Sequence, residues 1–151
     1  MLKQKEILQA VINLLEAKYE NITTYTDEIT RGFKQPCFFI KLIKSKNTET
    51  KNVNSNSLSI IITYFADDTA NKQLAYLDCE DDINVIFGNG FQVGDRYLHI
   101  DTISAERIGE NQDILQITLT SLYFDSTSYD GSAGYDLMLH LNNTLVNKNS
   151  Y

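Results

Sequence analysis

Apolar residues near the start of the chain recur with helical spacing. Five of them fall at positions i, i+3, i+4, i+7 and i+11: Leu8, Val11, Ile12, Leu15 and Tyr19. Residues with this spacing lie on one side of an α-helix. The charged residues of the segment fall outside this stripe, so the pattern predicts an amphipathic helix over residues 2–19.

The next apolar segments have the composition of β-strands. Residues 23–29 mix threonine, tyrosine and isoleucine, while residues 37–44 and 58–65 are rich in β-branched and aromatic side chains. Such side chains suit a pleated, half-buried surface. Pro36 precedes the second segment, at a position where a strand loses no backbone donor. Within that strand, Lys41 is expected to face water.

Residues 45–57 are polar apart from Val53. Because so polar a segment has no apolar face to bury, we predict a long mobile loop that joins two antiparallel strands. Loops of this length are either functional or disordered, and the sequence leaves both readings open.

A second helix is predicted after the third strand. Asp67 or Asp68 is a suitable N-cap, and Gly88 and Gly90 provide the end of the helix. Its inner face is predicted to consist of apolar residues at helical spacing: Tyr76, Cys79, Ile83, Ile86 and Phe87.

Beyond the second helix the apolar period changes to two, which predicts half-buried strands. One strand covers residues 97–105 with an irregularity near Thr102, and its hairpin partner covers residues 115–124. A last helix is predicted at residues 135–146, where leucines recur at i, i+4 and i+8.

The order of these elements indicates the fold class, because it does not alternate as in a doubly wound sheet. We predict an α+β fold, with a largely antiparallel sheet of about five strands and helices packed on one face. The chain has 151 residues, of which 42% are hydrophobic. We expect a single domain over residues 1–151 that needs neither disulfides nor metals to fold.

Candidate catalytic or ligating groups are few. Cys37 and Cys79 form no CxxC pair, and Cys37 lies in an apolar strand where a thiol behaves as a small hydrophobe. His99 lies on an alternating strand, where histidine is common on a solvated face, and His140 has no catalytic motif around it. The acidic run at residues 78–82 points around a helix and does not converge on one ion. We therefore predict neither an enzyme nor a bound cofactor or metal.

The net charge and hydropathy exclude two classes of partner. The formal charge is −7, from 13 basic and 20 acidic residues. This balance argues against sequence-specific nucleic-acid binding, because phosphate contacts need clustered lysine and arginine. No apolar run approaches the roughly 20 residues that span a bilayer, so we expect no membrane partner.

The charge is unevenly distributed, with +3 on residues 1–57 and −10 on residues 58–151. Most of the basic residues of the first part lie in one segment: Arg31, Lys34, Lys41, Lys44, Lys46 and Lys51. We hypothesise that this segment of one subunit meets the acidic surface of the next, as a head-to-tail ring interface requires. The alternative is a monomer with two differently charged solvated faces.

Two segments resemble a known family. Residues 27–42 read DEITRGFKQPCFFIKL and are similar to the stretch EEIxQGFxxPCFFIKL of small tail-terminator proteins from contractile-tailed phages and prophages. Residues 103–124 read ISAERIGENQDILQITLTSLYF and are similar to the second hairpin of that family. The sequence departs from the family pattern at Arg31, where glutamine is common, at Arg107 and in the asparagine-rich segment 45–57.

The resemblance implies a structural protein that forms a ring, expected to be a hexamer, on the head-proximal end of a tail tube. Its partners would be further copies of itself, the tail tube protein, and the sheath and neck or head-connector proteins. Assembly would take place in the cytoplasm of the bacterial host, and the product would be the tail of a virion or of an R-type bacteriocin particle. Termination of the tube would be geometric and would need no reaction.

The charge pattern and the family resemblance together predict which residues make assembly contacts and which have structural roles. Contacts with other subunits or with the tube are predicted for basic and apolar residues of the 31–53 segment and for two tyrosines: Arg31, Lys34, Lys44, Lys46, Lys51, Val53, Tyr129 and Tyr135. Structural roles are predicted for the motif residues Gly32, Phe33, Pro36, Cys37, Phe38 and Phe39. Gly32 is expected to form a turn with positive φ. Phe33, Phe38 and Ile40 are expected to anchor the sheet.

Two other functions stay open on the sequence. One is a different neck or tail-completion protein of the same particle. The other is a small cytosolic enzyme or ligand-binding domain, which predicts a stable monomer with a pocket.

Overall fold

The computed structural model describes residues 2–26, 36–66 and 72–126, and over them the chain forms two helices and seven strands. The helices are α1 (Gln4–Lys18) and α2 (Lys72–Phe87). The strands are β1 (Thr23–Tyr25), β2 (Cys37–Thr48), β3 (Val53–Phe65), β4 (Gly90–Val93), β5 (Arg96–His99), β6 (Thr102–Ile108) and β7 (Ile114–Ser126).

Five of the strands form one sheet in the order β1-β2-β3-β7-β6. β1 runs parallel to β2, whereas the other neighbours in the sheet are antiparallel. β4 and β5 form a separate two-stranded hairpin. The predicted α+β fold with a largely antiparallel sheet is therefore confirmed.

One face of the sheet, which we call the inner face, carries the core. Ile60 and Ile62 of β3 are fully buried on it, and Ile62 stands opposite Ile40 of β2 and Ile117 of β7. Burial of one such side chain contributes about 1.5–3 kcal/mol, so this row fixes the register of the three strands. Because side chains alternate along a strand, the odd-numbered residues of β3 lie on the opposite, outer face.

Both helices pack on the inner face. α1 buries Ile7, Val11 and Leu15 in the core, while Leu8 and Ile12 are only partly buried. The buried stripe is therefore centred one residue earlier than the sequence pattern predicts, although the helix itself is confirmed.

The predicted inner face of α2 is confirmed at four positions. Tyr76, Cys79, Ile83 and Phe87 are buried in the core. The helix ends at Phe87, and Gly88 adopts a φ of +41° as glycine commonly does after a helix. The backbone N–H of Gly88 donates to the carbonyl of Asn84 at 3.0 Å, which closes the last turn.

Tyr76 fixes α2 against the β6–β7 hairpin. Its hydroxyl donates to the backbone carbonyl of Asp113 in the hairpin turn. The guanidinium of Arg107 on β6 lies 4.5 Å from the centre of the Tyr76 ring, in a cation–π contact.

The segment predicted as a long loop, residues 45–57, is a β-hairpin instead. β2 continues to Thr48 and β3 begins at Val53, so the turn is confined to four residues, 49–52. Residues 54–57 of β3 also pair with β7, so their backbone groups have partners on both sides. Backbone pairing thus outweighs the low strand propensity of asparagine and serine.

The strand predicted at residues 97–105 is divided between two sheets. β5 ends at His99 and pairs with β4, whereas β6 begins at Thr102 and pairs with β7. At the break, the N–H of Ile100 donates to Asn89 at 2.9 Å and the N–H of Asp101 donates to Thr120 at 2.8 Å. The hairpin of β6 with β7 is confirmed.

Several predictions fall outside the described residues. They concern the second half of the strand at 23–29, the N-cap at Asp67 or Asp68 and the helix at 135–146. They also concern the site residues Arg31, Gly32, Phe33, Lys34, Tyr129 and Tyr135, together with His140.

Candidate assembly surfaces

The far ends of β2, β3 and β7 extend the sheet beyond its apolar core. We call this extension the arm, formed by residues 44–58 and 121–126. Register places Lys46 opposite Asn56, and Asn56 opposite Tyr123 of β7. The inner side of the arm is polar yet buried, since Asn54 and Asn56 are 4% and 1% exposed. The arm is therefore a fixed part of the sheet.

Asp125 ties the arm to the helical layer. Its carboxylate accepts a hydrogen bond from the N–H of Leu2 at 2.5 Å and pairs with the guanidinium of Arg96 at 3.0 Å. Arg96 also donates to the carbonyl of Phe124 at 2.7 Å. The side chain of Asp125 is only 6% exposed, so a charged carboxylate here depends on these partners. The start of α1 and the β4–β5 hairpin are thereby held against the end of β7.

The turn of the arm is closed by short polar contacts. The backbone N–H groups of Glu49 and Thr50 both donate to the carbonyl of Val53 at 3.0 Å. The hydroxyl of Thr50 accepts from the N–H of Val53 at 3.1 Å, and the hydroxyl of Ser55 donates to the Glu49 carboxylate at 2.7 Å. The polar side chains on which the loop prediction rested are therefore the groups that close this turn.

The outer face of the arm, together with the adjoining residues Ile43 and Ser59, carries exposed apolar side chains around a strip of serines. We call this the serine groove: its floor is Ser55, Ser57 and Ser59 of β3, and its walls are Ile43 of β2 and Leu122 and Phe124 of β7. The walls are 47%, 56% and 58% exposed, respectively. Register places Ser57 beside Leu122 and Ser55 beside Phe124. Because serine is short, the apolar walls project above the floor.

The wall residues on β7 were not nominated from the sequence. The sequence shows this in its period: from Leu115 to Ser121 the apolar residues of β7 alternate with polar ones, but Leu122, Tyr123 and Phe124 are consecutive. Tyr123 is buried on the inner face, so its neighbours must face outward. Large apolar residues at strand positions that otherwise carry solvent-facing polar residues indicate an interaction surface.

The described lysines of the basic segment do not lie on one surface. Lys41 lies on the outer face of β2, two residues from Ile43, and is exposed as expected. Lys44 and Lys46, two of the nominated residues, lie on the inner side of the arm, while Lys51 is in the turn. Val53, at the start of β3, is 37% exposed on the outer face. The nominated residues that the structure describes therefore share the arm but not one surface.

The motif residues around Pro36 lie at the base of the sheet. Cys37 and Phe38 are fully buried, and Phe38 stacks on Tyr64 with ring centres 4.9 Å apart. Phe39 is on the outer face, where it lies 5.2 Å from the ring of Tyr25. Cys37 and Phe38 therefore belong to the core, whereas Phe39 does not.

The outward side of α2 carries a second exposed surface, which we call the α2 stripe. It combines apolar and acidic residues at helical spacing: Leu74, Leu77, Asp78, Asp81 and Val85. Leu74, Leu77 and Val85 are 59%, 47% and 83% exposed. The opposite side of the helix is buried in the core, so this stripe points away from the sheet.

Asp82, in the same acidic run, has an internal role. It accepts a hydrogen bond from the Tyr19 hydroxyl at 2.5 Å and lies 3.9 Å from the Lys18 ammonium. Burial and this hydrogen bond raise the pKa of Tyr19. Asp82 therefore connects α2 to the end of α1, and the acidic run is not one uniform surface.

The two thiols have the properties of core side chains. Burial raises the pKa of Cys37 to about 11 and that of Cys79 to about 12. A thiol in this range is protonated at neutral pH and is a poor nucleophile. His99 lies 3.5 Å from Asp101 with its side chain 63% exposed, an arrangement typical of a solvated surface pair.

The described residues offer little to a ligand or metal. Within residues 2–26, 36–66 and 72–126, no three histidine, cysteine, aspartate or glutamate side chains are grouped to hold a metal ion. A depression of about 500 Å³ on the outer face is lined by side chains of mixed character, including Phe39, Lys41 and Ile61. In the same part of the chain, neither helix has the length and apolar character needed to cross a bilayer.

Comparison with known proteins gives one assignment. The comparison with curated protein sequences finds no match. The sequence model of the phage tail terminator protein family matches residues 6–132, which covers α1, the whole sheet and α2. This family consists of structural proteins of the phage tail. On that match over most of its length, the chain belongs to the phage tail terminator protein family.

Proposed function

We propose that this protein forms a ring on the head-proximal end of the tail tube, ends tube polymerisation and provides the surface to which the neck or head connector attaches. The observation that carries the proposal is the family match over residues 6–132. The particle is a contractile phage tail or an R-type bacteriocin, and the ring is a hexamer assembled in the host cytoplasm.

The two exposed surfaces support an assembly role. A monomeric protein rarely leaves large apolar side chains clustered in water, yet the serine groove and the α2 stripe both do so. They lie on opposite layers of the molecule, because the groove is on the outer face of the sheet and α2 packs on the inner face. A subunit with two different exposed apolar surfaces is suited to head-to-tail assembly.

The charge distribution supports the same role. Residues 41–53 carry four lysines and one glutamate, whereas α2 carries one lysine and four acidic residues. Opposite charges on two surfaces of one chain favour contact between copies and suppress stacking of like surfaces. We assign the turn of the arm, with Lys51 and Val53, to contact with the tube or a neighbouring subunit.

The test is a capping assay with the tail tube protein of the same gene cluster. Purified tube protein is polymerised with and without this chain, and tube length and end structure are measured by electron microscopy. We expect shorter tubes with a ring at one end only, at amounts of the chain far below those of the tube protein. The heat-unfolded chain is the control.

Unchanged tube length and bare tube ends would contradict capping. In that case binding to isolated portal or neck complexes would identify a different neck or tail-completion protein. A stable monomer that binds neither, and whose melting temperature rises with a small molecule, would identify a ligand-binding domain.

A further inference from the structure

We propose that copies of this chain join head to tail by seating the α2 stripe of one copy in the serine groove of the next. The inference rests on the proposed function in supposing a ring, and it names the two surfaces that build it. The groove is occupied by a second copy of this chain, and its shape, length and charge match those of the α2 stripe.

The shape of the groove fits one helix. Ile43 stands on β2 beside Ser59, with Ser45 and Asn47 continuing the β2 side, and Leu122 and Phe124 stand on β7 beside Ser57 and Ser55. Because β3 separates β2 from β7, the two sides are about 10 Å apart at a spacing of 4.7–4.9 Å per strand. That width admits a row of side chains from a helix lying above the floor. The serine floor allows close approach, since Ser57 and Ser59 have no bulk above Cβ beyond a hydroxyl.

The lengths of the two surfaces also agree. Ile43 stands level with Ser59 and Phe124 level with Ser55, so these two wall residues are about 13 Å apart along the strands. On α2, Leu77 and Val85 are separated by about 12 Å along the helix axis. Two apolar anchors at this separation can therefore reach both ends of the groove, where they meet Ile43 and Phe124.

The charges of the two surfaces are opposite at the Ile43 end of the groove. Asp78 and Asp81 lie between the apolar anchors of the α2 stripe. Lys41 lies on the outer face beside Ile43, whereas the turn at the other end holds both Lys51 and Glu49, and the Glu49 carboxylate accepts a hydrogen bond from Ser55. Seating the stripe with Leu77 toward Ile43 brings its carboxylates toward Lys41, whereas pairing two stripes brings like charges together.

One molecule cannot seat its own α2 stripe in its own serine groove. Tyr76 and Ile83 are buried against the inner face of the sheet, so the α2 stripe points away from it. The groove is on the outer face. Each copy must therefore use two different neighbours, which is the heterologous arrangement that gives rings when it closes.

The experiment uses one variant for each surface. Leu122→Thr with Phe124→Ser removes the groove walls, and Leu77→Gln with Val85→Gln removes the apolar anchors of the stripe. The matched control is Tyr97→Thr, because Tyr97 is 60% exposed on β5 and belongs to neither surface. Circular dichroism and the urea midpoint establish that each variant is folded.

Association is measured by sedimentation velocity over a range of concentrations, and at tube ends by electron microscopy if the wild-type ring forms only there. We expect each double variant to associate at least about 30-fold more weakly than wild type, while the Tyr97 variant behaves as wild type. Under the conditions where the wild type associates, an equimolar mixture of the two double variants must form a one-to-one pair, since each supplies the surface that the other lacks.

A mixture that stays unassociated, or variants that assemble as well as wild type, would overturn this contact. Variants that form normal rings but no longer bind tubes would assign the groove to the tube protein and would also overturn it. A wild-type chain that stays monomeric both alone and with tubes would refute the contact and the proposed function together. Rings that depend on the groove but do not bind tubes would leave the contact standing and refute capping.

Discussion

Replacement of Arg96 by methionine tests how the arm is fastened to the rest of the fold. The guanidinium lies 3.0 Å from the carboxylate of Asp125, whose side chain is 6% exposed. Arg96→Met keeps the aliphatic length of the side chain but removes the guanidinium, while the carboxylate still accepts hydrogen bonds from the backbone N–H groups of Leu2 and Ser126. The substitution therefore isolates the loss of the charged partner.

The size of the effect follows from the burial of the two partners. Breaking a buried ion pair costs about 3–5 kcal/mol because it leaves an uncompensated charge. The Arg96 side chain is itself 41% exposed, so water reaches the vacated position. We therefore expect the free energy of unfolding to fall by about 2–3 kcal/mol, or the melting temperature by about 5–10 °C.

The assay is urea denaturation followed by circular dichroism, at a concentration where the chain is monomeric. The matched control is Lys18→Met, because Lys18 lies 3.9 Å from Asp82 and its side chain is 53% exposed. An exposed pair of this kind contributes about 0–1 kcal/mol. Arg96→Met should therefore be clearly more destabilising than Lys18→Met.

A second substitution makes the reasoning refutable. In the Arg96→Met background, Asp125→Asn removes the buried negative charge that no longer faces a guanidinium, so the double variant should be no less stable than Arg96→Met alone. If instead the effects of Arg96→Met and Asp125→Asn simply add to within about 0.5 kcal/mol, the two side chains are not energetically coupled and the explanation is wrong.

Three further predictions concern the core, the thiols and the basic arm. Ile62→Ala should lower the free energy of unfolding by about 2–5 kcal/mol because it opens a cavity among fully buried neighbours; a loss below about 1 kcal/mol in urea denaturation would contradict this packing. The pKa of Cys79 is about 12 in the folded chain because the thiol is buried, whereas an exposed thiol in the unfolded chain has a pKa of about 8.5. Above about pH 9 the unfolded chain therefore binds fewer protons than the folded chain, and the free energy of unfolding falls as the pH rises. Cys79→Ala should reduce that slope by up to about 1.4 kcal/mol per pH unit, and equal slopes in urea titrations of the two proteins would refute it. Lys44→Glu with Lys46→Glu should weaken self-association in light scattering at low salt and have little effect in 1 M salt, where the Debye length is about 3 Å; unchanged assembly at low salt would remove these lysines from any interface.

The helices and the β6–β7 hairpin could be predicted because their apolar residues carry a local period. Tyr76, Cys79, Ile83 and Phe87 are spaced as one side of a helix, and they are the residues that α2 buries. Likewise Leu115, Ile117 and Leu119 alternate with polar residues and face the core. In both cases the buried residues lie on one face of the element. Residues on one face recur with a fixed spacing in the sequence, so the spacing alone predicts which of them are buried.

The candidate surfaces could be predicted only in part. The charge of the 41–53 segment pointed to the arm, but the division of Lys41 from Lys44 and Lys46 depends on the register of β2. Leu122 and Phe124 acquire meaning only because β3 places serines beside them. A groove made by three strands is not visible in any one of them.

The sequence by itself determined the α+β class, the two helices and the core strands, because each of these has a hydrophobic period. It also indicated the family, through the segments at 27–42 and 103–124. Only the tertiary structure decided that the polar segment 45–57 is a hairpin. Its two strands pair with each other, and its second strand also pairs through backbone hydrogen bonds with β7, a segment more than 60 residues away in the sequence. Backbone pairing leaves no hydrophobic period in the sequence.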